Sequence, residues 1–120
     1  MANKFPQSKV RGIFFDEKTA RETAALSWDR DHDPRAVSRQ AVAVLRSGDR
    51  TDVLKQLQLP TLLIHGKADK MIDERSGVAT ARAIPNAKLV LLDGMGHSLP
   101  QPLWKEIANL IADHIHQAET

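Results

Sequence analysis

The chain of 120 residues contains no cysteine and no tyrosine, and only three phenylalanines and two tryptophans. Each absence closes off a class of function. Without cysteine there are no disulfides, no zinc–thiolate sites and no thiol nucleophile, a composition compatible with the cytoplasm, the expected location. Few aromatic rings leave no stacking platform for single-stranded nucleic acid. The 17 basic residues exceed the 15 acidic ones by only two, and the excess is spread over the N-terminal half rather than packed into one block. No nucleic-acid partner is therefore expected. No window approaches the ~18 consecutive apolar residues that span a bilayer. The opening Met1-Ala-Asn-Lys-Phe-Pro-Gln-Ser8 lacks the apolar centre of a signal peptide, so neither a membrane partner nor export is expected. One further absence concerns chemistry: the pentapeptide Gly-x-Ser-x-Gly, which carries a nucleophilic serine on a strand-to-helix turn, does not occur.

What is present is ordinary for a soluble globular protein, with 42% hydrophobic and 27% charged residues. The length allows one domain with a modest core. Residues 1–17 mix Lys, Pro, Gly and three Phe without a period and are assigned no element. From Glu17 to Trp28, Ala20, Ala24, Ala25 and Trp28 recur at helical spacing until the polar turn Asp29-Arg-Asp-His-Asp-Pro34. Asp33 is then an N-cap with Pro34 in the first helical position, and Val37, Ala41, Val44 and Leu45 make an apolar stripe ending at Ser47-Gly48. A short third segment carries Val53, Leu54 and Leu57 up to Pro60.

Beyond Pro60 the texture changes. Thr61-Leu-Leu-Ile64 and Lys88-Leu-Val-Leu-Leu92 are continuous apolar runs, the pattern of strands covered on both faces. A helix over Asp73–Ala83 separates them, so the strands are expected to be parallel and joined by a right-handed crossover. Leu103 to Ile115, with Trp104, Ile107, Ile111 and Ile115, is a closing amphipathic helix. The fold class is α/β: a helical segment over 1–58, then a β-α-β-α unit with two parallel strands over 59–120.

Two motifs carry chemistry. Pro60-Thr-Leu-Leu-Ile-His-Gly-Lys-Ala-Asp69 delivers a carboxylate past the end of one strand, and Asp93-Gly-Met-Gly-His97-Ser-Leu-Pro100 delivers an imidazole past the end of the other. Neighbouring parallel strands lie ~4.8 Å apart, and functional groups of open parallel sheets gather at strand carboxyl ends. Asp69 can therefore reach His97 and hold its ring in one tautomer, the orienting half of a nucleophilic triad. The plainer alternative makes Asp69 a helix cap and His97 a turn residue between glycines.

Other residues are weaker candidates. Gly96-His-Ser98-Leu-Pro100 begins like an elbow, but Pro100 stands where glycine is needed, so Ser98 is taken as a turn or capping residue. Ser27, Ser38, Ser47 and Ser76 lack flanking glycines on the elbow pattern. His65-Gly66 is read as a strand terminus with a tight turn. His32, His114 and His116 are expected to face solvent, and no cofactor or metal is implied. Trp28 and Trp104 suit either a pocket or the core, with core favoured for Trp104 because Ile107 and Ile111 share its face. Lys67 and Lys70 flank Asp69, either as solvated charges or as groups that lower its pKa.

The joint pattern of strand, His-Gly-x-x-Asp, helix, strand and Gly-x-Gly-His resembles the C-terminal third of the α/β-hydrolase family over roughly Leu57 to Ile115. The resemblance implies that Asp69 is the triad acid and His97 the base, in the chain order Ser, Asp, His. It also implies that residues 17–57 are the end of a helical lid, and Ser38 to Arg50 is similar to esterase-like members. Asp73 stands where a proline often follows the acid. The elbow, the oxyanion-hole loop and the earlier strands have no counterpart here. The implied function is that of a truncated carboxylic-ester hydrolase lacking its nucleophile, acting on a small-molecule ester when complete. The alternative is a non-catalytic module of hydrolase descent. Either reading leaves an open sheet edge and predicts a homo-oligomer or a missing N-terminal half.

Overall fold

A computed structural model describes residues 16–120, so the lead-in at residues 1–15 lies outside the described residues. The described residues form two compact units, Asp16–Arg50 and Thr51–Thr120.

The first unit is a pair of helices. Helix α1 (Glu17–Arg30) is capped by Asp16, whose carboxylate accepts from the N–H groups of Lys18 and Thr19. It runs two residues beyond Trp28, because the Asp31 N–H still closes a turn on the Ser27 carbonyl. Helix α2 (Pro34–Ser47) starts where local chemistry dictates: Asp33 accepts from the Arg35 N–H at 2.9 Å, Pro34 opens the first turn, and Gly48 ends it with a positive φ of 62°.

The second unit holds the α/β part. After a short helix α3 (Thr51–Lys55), strand β1 (Leu62–Gly66) pairs in parallel with β2 (Lys88–Leu92), with Leu62 opposite Lys88 and Gly66 opposite Leu92. β1 starts one residue later and ends two residues later than the apolar run predicts, because His65 and Gly66 pair with Leu91 and Leu92. Helix α4 (Glu74–Ala83) makes the crossover, with Asp73 as its N-cap rather than its first residue. A 3₁₀ turn at Gln101–Leu103 leads into α5 (Trp104–Glu119).

Strand alternation sorts the side chains. Ile64, Val90 and Leu92 share one face and join Met95, Leu103, Ile107 and Leu110 in the core. Leu63 and His65 lie on the other face, where His65 meets Gly77 of α4. The expectation of strands covered on both faces is not met: Leu62 to His65 are only half-buried, and the sheet has two strands among the described residues. An apolar run is written for burial, but burial needs neighbours, and among the described residues each strand pairs only with the other.

Trp104 also departs from expectation. It is 57% exposed rather than core. At ~100° per residue, Trp104, Ile111 and Ile115 fall within about 40° of one another, whereas Ile107 and Leu110 lie to one side of that stripe. The sheet takes Ile107 and Leu110 and leaves Trp104, Ile111 and Ile115 exposed. The Trp104 indole N–H instead donates to the Leu99 carbonyl at 2.8 Å, tying the loop after β2 to the start of α5.

Candidate active site

The site is built from two loops at the carboxyl ends of β1 and β2. They are joined through the backbone: the Lys67 N–H donates to the Leu92 carbonyl at 3.0 Å and the Ala68 N–H to the Met95 carbonyl at 2.9 Å. Gly66 makes that approach possible. A Cβ there would overlap the Met95 carbonyl and lie 2.6 Å from the Gly96 oxygen, so the His-Gly pair at the strand end needs glycine because the second loop passes directly over it.

The junction brings Asp69 and His97 together. Asp69 Oδ2 lies 2.8 Å from His97 Nδ1 across 28 positions of sequence. The other oxygen, Oδ1, accepts from the backbone N–H groups of Met71 at 2.8 Å and Ile72 at 2.9 Å. The carboxylate side chain is 6% exposed and the imidazole 50%. The Ile72 N–H, followed by the His97 ring, lowers the Asp69 pKa from 3.8 to about 2. Lys67 pairs with Asp93 at 2.8 Å.

The protons follow from these contacts. An ionised carboxylate only accepts, so His97 Nδ1 carries the hydrogen of the shared bond. In the neutral ring Nε2 is then the basic nitrogen, and it has no hydrogen-bond partner among the described residues. The arrangement orients a ring and leaves its second nitrogen available to take a proton. Capping of α4, the plainer role considered for Asp69, belongs to Asp73, whose carboxylate accepts from the Arg75 N–H at 2.9 Å.

The remaining candidates fall elsewhere. Ser98 is exposed in an irregular loop, with no helix directly behind it to make an elbow. Ser76 lies on α4 and lines the same cleft as Asp69 and His97. Ser27, Ser38 and Ser47 belong to the helical pair. His32 is exposed and stacks on Trp28 with centroids 4.2 Å apart. His116 is exposed, but His114 is half-buried on α5, contrary to expectation. Among the described residues no group of three or more His, Asp or Glu side chains could hold a metal ion, and no helix is long and apolar enough to cross a membrane.

The residue that sequence reasoning undervalued is His65. Its ring lines the cleft, and its Nε2 lies 2.9 Å from the Ile72 carbonyl. The only sequence signal was a polar residue inside an otherwise apolar strand.

No family model matches the chain. Among curated proteins, it is similar to a bifunctional esterase/perhydrolase of Acinetobacter calcoaceticus, 36% identical over 53 residues, which is 43% of this chain and 19% of that protein. A non-heme chloroperoxidase of Kitasatospora aureofaciens is 36% identical over 52 residues, 42% of this chain and 19% of the relative. A human monoacylglycerol lipase is 31% identical over 62 residues, 52% of this chain and 18% of the relative. The chain thus spans about a fifth of the length of these relatives. These partial similarities support α/β-hydrolase ancestry, with ester-acting enzymes among the relatives.

Proposed function

We propose that Asp69 and His97 are the acid and base of an ester-cleaving site of the α/β-hydrolase kind, and that the 120 residues correspond to its C-terminal portion. The observation that carries this reading is the 2.8 Å contact between His97 Nδ1 and an aspartate whose other oxygen is held by two backbone N–H groups. A carboxylate fixed at both oxygens cannot swing away from the ring, so the tautomer is set before any substrate arrives.

In the complete site a serine hydroxyl lies against His97 Nε2. His97 takes the hydroxyl proton as the oxygen attacks the acyl carbon, and gives it to the departing alkoxide. Water then enters along the same path: His97 removes its proton, hydroxide adds to the acyl-enzyme, and the serine leaves reprotonated. Asp69 stays ionised throughout and stabilises the imidazolium. Donors for the oxyanion supply much of the rate enhancement in such chemistry. Like the serine elbow, their loop has no counterpart in the sequence, and both would come from the remaining portion of the fold.

The test is hydrolysis of a short-chain nitrophenyl ester by the chain alone, by its His97→Ala variant, and by each after co-expression with an elbow-bearing N-terminal portion of the Acinetobacter relative. The expected result is no turnover above His97→Ala for the chain alone, and His97-dependent turnover for the pair. Turnover by the chain alone would place a nucleophile within these residues and overturn the truncated reading. A pair that assembles but turns over equally well with His97→Ala would overturn the assignment of the base.

A further inference from the structure

Asp69 is held by the Met71 and Ile72 N–H groups, and the next link outward is His65. Its Nε2 lies 2.9 Å from the Ile72 carbonyl. A carbonyl only accepts, so Nε2 carries a hydrogen and donates it. The same residue thus donates its N–H to Asp69 and receives a bond on its C=O from His65. A second observation is independent of that bond. Gly77 sits inside α4, where glycine is disfavoured relative to alanine. A Cβ there would come within 2.9 Å of His65 Nδ1 and 3.1 Å of its Cγ. The helix has a notch with the imidazole seated in it.

We propose that His65 is a positioning residue for the Asp69–His97 pair: seated against Gly77, it holds the Ile72 carbonyl and, through the Ile72 α-carbon, the neighbouring N–H that fixes the carboxylate orienting His97. This rests on the reading of Asp69 and His97 as acid and base only for its functional meaning; the geometric chain stands without it. The order is His65 Nε2–H to the Ile72 carbonyl, Ile72 N–H to Asp69 Oδ1, and His97 Nδ1–H to Asp69 Oδ2. His65 thus reaches that stretch from the sheet with its own side chain.

The experiment reads the His97 tautomer from the ¹⁵N shifts of its two ring nitrogens in the full 120-residue chain near pH 7.5. In the unaltered chain the neutral ring carries its hydrogen on Nδ1. His65→Leu is expected to convert this single tautomer to a mixture, with loss of the slowly exchanging Nδ1 proton. His65→Gln, which keeps a donor at nearly the same reach, is expected to restore the single tautomer. Gly77→Ala, which displaces the ring while leaving its chemistry intact, is expected to reproduce His65→Leu, whereas Arg82→Ala on an exposed part of the same helix changes nothing. A folded His65→Leu chain that retains the Nδ1 tautomer overturns the proposal, as does failure of Gln to restore it, which would reduce His65 to packing. Should His65→Leu fail to fold, Gly77→Ala and His65→Gln decide by the same readout. Hydrolysis plays no part in the measurement, so failure of the ester-cleaving reading and failure of this one are separately visible.

Discussion

At the scale of single residues, the chemistry rests on how little freedom Asp69 has. Its folded pKa of about 2 lies below the ordinary 3.8, so the carboxylate contributes stability that is present above about pH 4 and is lost as pH falls toward 2. Denaturant unfolding followed between pH 5 and 2 is expected to show this loss, and Asp69→Asn is expected to flatten that part of the profile. In a complemented enzyme the same substitution should lower kcat by about 10⁴-fold by admitting the wrong His97 tautomer, read in the nitrophenyl ester assay. Gly66 is equally exacting for a steric reason. Gly66→Ala places a methyl group against the backbone of Met95 and Gly96, and backbone cannot rotate aside as a side chain can. The expected cost is about 1–3 kcal/mol of stability, measured by urea denaturation, with loss of the Asp69–His97 contact.

At the scale of elements, a helix start was legible at Asp33, where a side chain speaks directly to its own backbone, and was read one residue early at Asp73, which caps α4 rather than opening it. Asp33 with Pro34 marked the start of α2 because an N-cap carboxylate and a proline need nothing from the rest of the molecule. Asp33→Ala is accordingly expected to speed amide exchange in the first turn of α2, seen by hydrogen–deuterium exchange, and to leave β1 and β2 unaffected. The two strands were legible as apolar runs, and β2 has the predicted bounds Lys88–Leu92. What could not be read was which part of an apolar arc meets the sheet. The spacing of Trp104, Ile107, Ile111 and Ile115 announces an amphipathic helix, but only packing decides that Ile107 goes inside and Trp104 stays out. The Asp69–His97 contact was foreseeable because strand ends gather functional groups. His65 was not, since its meaning depends on Gly77, which stands on another element.

At the scale of the molecule, the β-α-β-α unit has, among the described residues, a sheet of two strands. Its strands carry the apolar density of buried parallel strands, yet four of the five β1 residues are only half-buried, and the hydrophobic core is seated mainly at the sheet's end around Leu92, Met95 and Ile107. A chain in this condition exposes apolar surface that dyes and partners can find. The isolated chain is expected to bind a hydrophobic dye and to unfold with a urea m-value near or below ~1 kcal/mol/M, the low end for small proteins. Assembly with the elbow-bearing portion should suppress the dye signal and steepen the transition. An isolated chain that excludes the dye and unfolds steeply would count against the truncated reading.

The loop after β1 is fastened largely by its own N–H groups: Ala68 lends its N–H to the Met95 carbonyl, and Met71 and Ile72 lend theirs to the Asp69 carboxylate. An N–H is common to every amino acid but one. Positions 68, 71 and 72 should therefore accept a wide vocabulary of small and large residues, while proline at any of them deletes a bond that no side chain can replace. Saturation mutagenesis of these positions would be expected to return a near-flat tolerance with a single sharp exclusion, a signature by which such backbone-fastened loops can be recognised in other chains.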